Sequence, residues 1–147
     1  LLGEADALKS VSVAASTTGS ETRAPFTYPV ILIASEDGED LGYAISRVVL
    51  DVWELQRIGV HPEVRRRGIG ARLLDRVIEL ARDTGGSCLQ LEARETNEPA
   101  RALYRSRHFT ANGRRPNYYG QGVDAILGIL DLTAPAAAPE APSKPEI

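Results

Sequence analysis

Between residues 28 and 132 the hydrophobic positions recur first with a period near two, then with a period near 3.6. The run YPVILIAS (28–35) is rich in β-branched residues, EDGED is a polar turn around Gly38, and LGYAISRVVL (41–50) is a second run, a pattern that predicts a hairpin. WELQRIGV (53–60) predicts a third strand whose alternation breaks: Leu55 falls on the odd positions, Ile58 and Val60 on the even ones. A slip of one in a period of two is what a β-bulge produces, so this strand is expected to bend, with Gly59 easing the bend. From Gly68 to Thr84, Ile69, Leu73, Val77, Leu80 and Ala81 share a helical stripe that Leu74 and Ile78 widen, and Gly85–Gly86 ends it. SCLQLEA (87–93) follows as a strand expected to run parallel to 53–60. TNEPARALYRSR (96–107) reads as a second helix, with Thr96 or Asn97 as N-cap and Pro99 in its first turn. HFTANGRR (108–115) and DAILGILDL (124–132) read as a closing antiparallel pair around PNYYGQGV. The order predicts an α/β sandwich with a mixed sheet.

The flanks carry no such period. Residues 1–24 are rich in Ala, Ser and Thr and read as a polar N-terminal segment, with a short helix at Glu4–Lys9 and a linker at 16–25. TAPAAAPEAPSKPEI (133–147) is expected to be a disordered Pro/Ala-rich tail, leaving one domain over 25–132. No stretch reaches the roughly 18 apolar residues of a membrane span, and Glu4, Asp6 and Lys9 break any secretory h-region. Cys88 is the single cysteine, which excludes an internal disulfide and fits a cytoplasmic protein. With two histidines besides, no metal site is expected. The net charge of −3 conceals an acidic excess before residue 60 and arginines gathered between 65 and 115. That distribution points to a compact anionic ligand rather than to nucleic acid.

VRRRGIG (64–70) places three arginines and two glycines where the first helix begins. Unpaired N–H groups and the macrodipole make such a start a phosphate site, and glycines at 68 and 70 let a ligand approach the backbone. A Walker loop and a dinucleotide fingerprint both require further residues that are lacking here. On local spacing alone, a solvated arginine loop that merely turns the chain is an equal alternative.

RRRGIG matches the Gln/Arg-X-X-Gly-X-Gly/Ala signature of the GNAT (Gcn5-related) acetyltransferases. LQLEARETNEPARALYRSRHF and RRPNYYGQGVDAILGIL resemble segments of its ribosomal-protein-alanine N-acetyltransferase (RimI-like) group, the likeness covering about residues 30–130. The resemblance implies the GNAT fold, a mixed, mostly antiparallel sheet with a splayed parallel strand pair and flanking helices. It implies acetyl-CoA as co-substrate, without a metal. Its pantetheine would run along Arg57 to Val60, with Ile58, Gly59 and Val60 as its contacts, its pyrophosphate would be cradled by backbone N–H groups of Arg65, Arg66, Arg67, Gly68, Ile69, Gly70 and Ala71, with the arginines adding charge and bidentate donors beside them, and Asn97 would bond it. Glu92 would be the general base, Tyr104 the proton donor to the leaving thiol, and Tyr118 and Tyr119 a wall of the acceptor groove. The acceptor would be a protein N-terminus, that of a ribosomal protein by the group's name, with neither nucleic acid nor membrane as partner. A small amine or lysine acceptor, or an acyl-CoA-binding module without catalysis, are the alternatives. Read locally, Glu92 is a strand carboxylate pairing with Arg94 or its neighbours, Tyr104 a core residue, Asn97 a helix cap, and the two tyrosines turn packing. The chain departs from the group where residues 1–28 are short and polar instead of a strand and two helices, where His108 stands in place of a glycine and Ala93 in place of a valine, and where Pro116 lengthens the loop before the tyrosines. Cys88, inside a strand without a nearby histidine, is rejected as a nucleophile.

Overall fold

The structure, a computed structural model, describes residues 11–17, 27–133 and 145–147. Seven strands, β1 (Ser12–Thr17), β2 (Thr27–Glu36), β3 (Glu39–Val49), β4 (Val52–Val60), β5 (Cys88–Arg94), β6 (Thr110–Arg115) and β7 (Ala125–Asp131), form one sheet in the order β1-β2-β3-β4-β5-β7-β6. Helix α1 (Ile69–Asp83) joins β4 to β5 and α2 (Glu98–Ser106) joins β5 to β6. Every strand pair is antiparallel except β4–β5. The fold class, the mixed sheet and both helices agree with the periodicities.

Period-two burial carries the sheet. On β2, Val30, Leu32 and Ala34 are buried while Ile31 and Ile33 are half-buried. The stripe of α1 buries Ile69, Leu73, Leu74, Val77, Ile78 and Ala81 against Trp53, Leu55, Leu89 and Leu91. The break in β4 is a bulge: Ile45 pairs with Arg57 and Ser46 with Leu55, so Gln56 is the extra residue, three positions before Gly59. A second register shift, in the β2–β3 hairpin between Ala34 and Ser35, leaves Leu41 without an opposite number.

Two expectations need correction. Residues 12–17, read as part of the polar N-terminal segment, are strand β1, paired with β2 from Ser12↔Ser35 to Thr17↔Val30. The small, half-polar string SVAAST carries almost no strand signal; the pairing edge of β2 decides its conformation. The tail read as disordered over 133–147 also closes back on the sheet at its far end. Ala111 N–H donates to Pro145 O at 3.1 Å, Thr110 bridges Glu146, and Ile147 is fully buried. A single isoleucine after spaced prolines has no period to reveal its burial. The expected helix at Glu4–Lys9 and most of the linker lie outside the described residues.

The end of α2 follows its sequence closely. His108 takes φ 68, Phe109 N–H donates to Tyr104 O at 3.1 Å and His108 N–H to Arg105 O at 2.9 Å, a Schellman motif with histidine at the left-handed position. The Tyr104 and Phe109 rings, 5.8 Å apart, make the apolar contact that accompanies it. A side chain in that conformation costs about 1 kcal/mol, and glycine avoids it at some expense in chain entropy. His108→Gly is therefore expected to stabilise the protein by about 0.5–1 kcal/mol, read as a melting temperature higher by roughly 2–5 °C. An unchanged or lower melting temperature would count against the strain.

Candidate active site

The bulge at Gln56 sets the site's outline. Parallel pairing between β4 and β5 runs from Val52↔Cys88 to Leu55↔Leu91 and stops. Beyond it Arg57, Ile58, Gly59 and Val60 pair only with Ile45–Gly42 of β3, while Glu92, Ala93 and Arg94 pair only with Leu127–Ala125 of β7. The two strands splay, and the edges that face each other keep unpaired backbone groups that a ligand's amides can meet. Ile58, Gly59 and Val60 thus form one lip. The Tyr43 ring covers Gly59, where a Cβ would come within 2.5 Å of Cε1.

The chain from this lip to α1 is tightly tied. His61 N–H donates to Leu41 O at 2.8 Å, and a 3-10 turn spans Pro62–Val64. Arg66 has φ 66 and Gly68 φ 79, the alternation of a backbone nest. Gly68 is the N-cap without a side chain to offer, and the first bond into the helix is Arg72 N–H to Gly68 O at 3.0 Å. The amides of Ile69, Gly70 and Ala71 consequently lack helical acceptors and point outward at the positive end of the dipole. A Cβ on Gly70 would only touch Val60 Cγ2 at 3.7 Å and Ile58 Cγ2 at 4.0 Å, so the helix start and the β4 lip are contiguous.

The three arginine side chains at this corner are disposed differently from one another. Arg67 is bound to Glu36 at 2.8 Å, and Arg65 Nε donates to Val60 O at 3.2 Å, while Arg66 is exposed. Two of the three guanidiniums hold the loop in shape, and it is the backbone that presents the anion-binding groups. The donor set, three outward amides beside a positive φ glycine, fits a diphosphate.

On the other lip Glu92 is half-buried, and Arg115 Nη2 of β6 lies 3.2 Å from its Oε1. The Arg115 guanidinium also sits 5.5 Å over the Tyr118 ring, and Arg94 sits 4.7 Å over Tyr119. The two tyrosine rings meet edge to face at 5.1 Å and are 55% and 37% exposed. Their loop is pinned: Asn117 N–H donates to Asp124 Oδ1, Gly122 N–H to Asn117 Oδ1, and Arg114 bridges Glu95 and Asp124. Burial pushes the Tyr104 phenol above its ordinary value, with Tyr119 adding to the effect. Tyr119 is raised too, by burial first and then by the Glu92 and Tyr118 charges, against the opposing pull of Arg94. Glu92, Tyr104, Tyr118 and Tyr119 are therefore one electrostatic cluster. Asn97 caps α2, its Oδ1 accepting from Ala100 N–H at 3.3 Å, which leaves its amide nitrogen for a ligand.

Arg115 is the member that sequence reading left out, while Arg94, expected there as a partner of Glu92, lies over the Tyr119 ring instead. RRPNYY carries no local sign of this pairing; the β6–β7 register, Arg115↔Ala125, brings Arg115 to Glu92. Among the described residues no group of three or more His, Cys, Asp or Glu side chains could hold a metal ion.

The sequence model of the Acetyltransferase (GNAT) family matches residues 8–109. The [ribosomal protein bS18]-alanine N-acetyltransferase of Escherichia coli (strain K12) is 39% identical over 102 residues, 67% of this chain and 69% of that protein. The crystal structure of the ribosomal-protein-S18-alanine N-acetyltransferase from Escherichia coli superposes with a TM-score of 0.71 at 25% identity, covering 84% of this chain and 96% of that one. yncA, a putative acetyltransferase from Salmonella typhimurium solved with its cofactor acetyl-CoA, gives 0.63 at 27% identity over 77% and 69%. With the splayed strand pair and the uncapped helix start between them, these likenesses settle the matter: the chain belongs to the GNAT acetyltransferase family.

Proposed function

We propose that the protein is a cytoplasmic enzyme that acetylates the N-terminal α-amine of a protein, in the manner of the ribosomal-protein-alanine acetyltransferases it resembles. The observation that carries this is the conjunction of an open β4–β5 edge, three outward amides at the start of α1, and a carboxylate on the opposite lip, with the buried Tyr104 phenol on the helix that follows that strand. Acetyl-CoA supplies the activated acyl carbon. Ile69, Gly70 and Ala71 N–H groups hold the diphosphate, and Ile58–Val60 hold the pantetheine amides along the β4 edge. Glu92 accepts the proton that the attacking amine sheds. Tyr104, kept protonated by burial, holds at Oη the proton that the leaving sulfur requires. Tyr118 and Tyr119 wall the acceptor side, and Arg115 fixes the direction in which Glu92 points.

Amine chemistry supports an N-terminus over lysine. With pKa values near 8 and 10.4, roughly one α-amine in ten is free at pH 7 against fewer than about one lysine in a thousand. A half-buried carboxylate is then base enough. Peptides differing at the first residue, with internal lysine as the control, test this with labelled acetyl-CoA. Label confined to α-amines is expected; label on lysine or small amines alone would overturn it.

Glu92→Gln is expected to lower kcat by roughly 10²–10³ with coenzyme A affinity unchanged, and equal activity would remove Glu92 from the chemistry. The direction of the Tyr104 shift fixes a sign. Its neutral, donating form is favoured, so kcat should not fall as pH rises from neutrality to about 9, and Tyr104→Phe should lower kcat across that range. A decline centred between pH 7 and 9 in the parent and absent from Tyr104→Phe would contradict the assignment. Gly70→Val, whose extra carbons fill the seam between α1 and β4, should weaken coenzyme A at least tenfold by calorimetry while the fold is retained. Unaltered affinity would place the diphosphate elsewhere.

A further inference from the structure

Residues 145–147 make contacts that acetyl transfer, as argued above, does not use. Pro145 O accepts from Ala111 N–H at 3.1 Å and Glu146 bridges Thr110, which adds a short antiparallel pairing to the outer edge of β6. The Ile147 side chain, fully buried, fills a notch that exists because residue 128 is glycine. A Cβ on Gly128 would run into Ile147 Cδ1 and come within 2.9 Å of Leu91 Cδ1, so the isoleucine sits over β7 where β5 pairs with it at Leu91↔Gly128. The backbone oxygen of Ile147 accepts from Arg105 Nη1 at 3.2 Å, and the same guanidinium is ion-paired with Glu98 at the start of α2.

The placement is specific. Leu91 immediately precedes Glu92 and points to the opposite face of β5, so Ile147 packs behind the strand that carries the carboxylate. Arg105 immediately follows Tyr104, and Thr110 immediately follows Phe109, the residue whose ring and N–H both fix Tyr104. Ile147 therefore meets residues that adjoin, in sequence, both groups assigned to proton transfer: Leu91 before Glu92 and Arg105 after Tyr104. We infer that residues 145–147 are a strap that holds α2 against β5 and β7, making Ile147 a positioning residue for the reaction. The inference rests on the acetyl-transfer reading for its catalytic consequence, not for its structural one. The strap belongs to the machinery for setting two side chains at the splay, where a displacement near 1 Å can cost a large factor in rate.

The test uses the full chain with Ile147→Ala and Ile147→Val, assayed at a temperature where circular dichroism shows all three proteins folded. Ile147→Ala is expected to lower kcat by roughly ten- to a hundredfold with the KM for acetyl-CoA within about twofold of the parent. Ile147→Val, which keeps the branched side chain, should recover most of that loss. A kcat equal to the parent's, or a valine variant as impaired as the alanine one, overturns the positioning role. Hydrogen exchange gives a readout independent of activity: amides of 98–106 should exchange at least tenfold faster in Ile147→Ala, with those of 69–83 unaffected. Unchanged protection of α2 would sink the strap even if acetyl transfer is confirmed. Conversely, a parent protein that binds coenzyme A but acetylates no amine would sink the functional reading, and the exchange measurement would still decide the strap.

Discussion

β4 has one residue more than β3 can pair, and the geometry of the site descends from that mismatch. Up to Leu55 the strand is held on both sides, by β3 and by β5; past Gln56 the parity of its side chains has flipped and its contact with β5 has ended. Before the bulge Trp53 and Leu55 drive into the core, and after it Ile58 and Val60 are only half-buried. Unpaired backbone in a closed interior costs about 1–3 kcal/mol per group, so the open edge persists because the splay admits solvent or a ligand that bonds like a strand. The bulge thus creates both the opening and its chemical appetite for amides.

The helix that follows is placed by the same strand. Only residues 61–68 separate the end of β4 from α1, and they are drawn back by Leu41 O, Val60 O and Glu36. So short and well-tied a connection leaves the helix start next to the β4 lip, with Gly70 within contact distance of Ile58 and Val60 had it a side chain. Burial of the α1 stripe against the sheet fixes the axis, and the axis aims the uncapped amides. An anion-binding dipole and an amide-binding edge come into register without any side chain contributing to either. This is why two of the three arginines can serve as braces: the outward donors at this corner belong to the backbone.

Strong periods made most of the framework legible. The β-branched runs of β2 and β3, the stripe of α1 and the parity break in β4 each constrain a face, and each is where the sequence placed it. β1 was not legible, since Ser, Ala and Thr dominate it and its conformation is imposed by β2 rather than by its own preferences. Ile147 was not legible because its burial depends on the absence of a side chain at Gly128, nineteen positions away in the chain. The site divides along the same line. The helix-start glycines announce themselves locally, but the pairing of Glu92 with Arg115 is a fact of register between β5, β7 and β6, including the shift between Ala111 and Gly113. The left-handed turn at His108, by contrast, could be anticipated from what stands at that position in similar chains.

The Glu92 lip is built on different interactions from the helix start. The wall beside Glu92 is the loop carrying Tyr118 and Tyr119. Two largely exposed rings on a loop would ordinarily wander. Here each is capped by a guanidinium, Arg115 on one and Arg94 on the other, and the loop beneath is nailed down through Asp124 and Asn117. Because the Arg115 that stacks on Tyr118 also engages Glu92, the wall and the carboxylate share one charged group. Cation–π contacts and half-exposed ion pairs are each worth only about 1 kcal/mol, so the arrangement is firm enough to orient a carboxylate and weak enough to yield to an incoming ammonium. The wall's geometry and the availability of the Glu92 carboxylate are consequently linked, and a group that displaces Arg115 from either partner alters both.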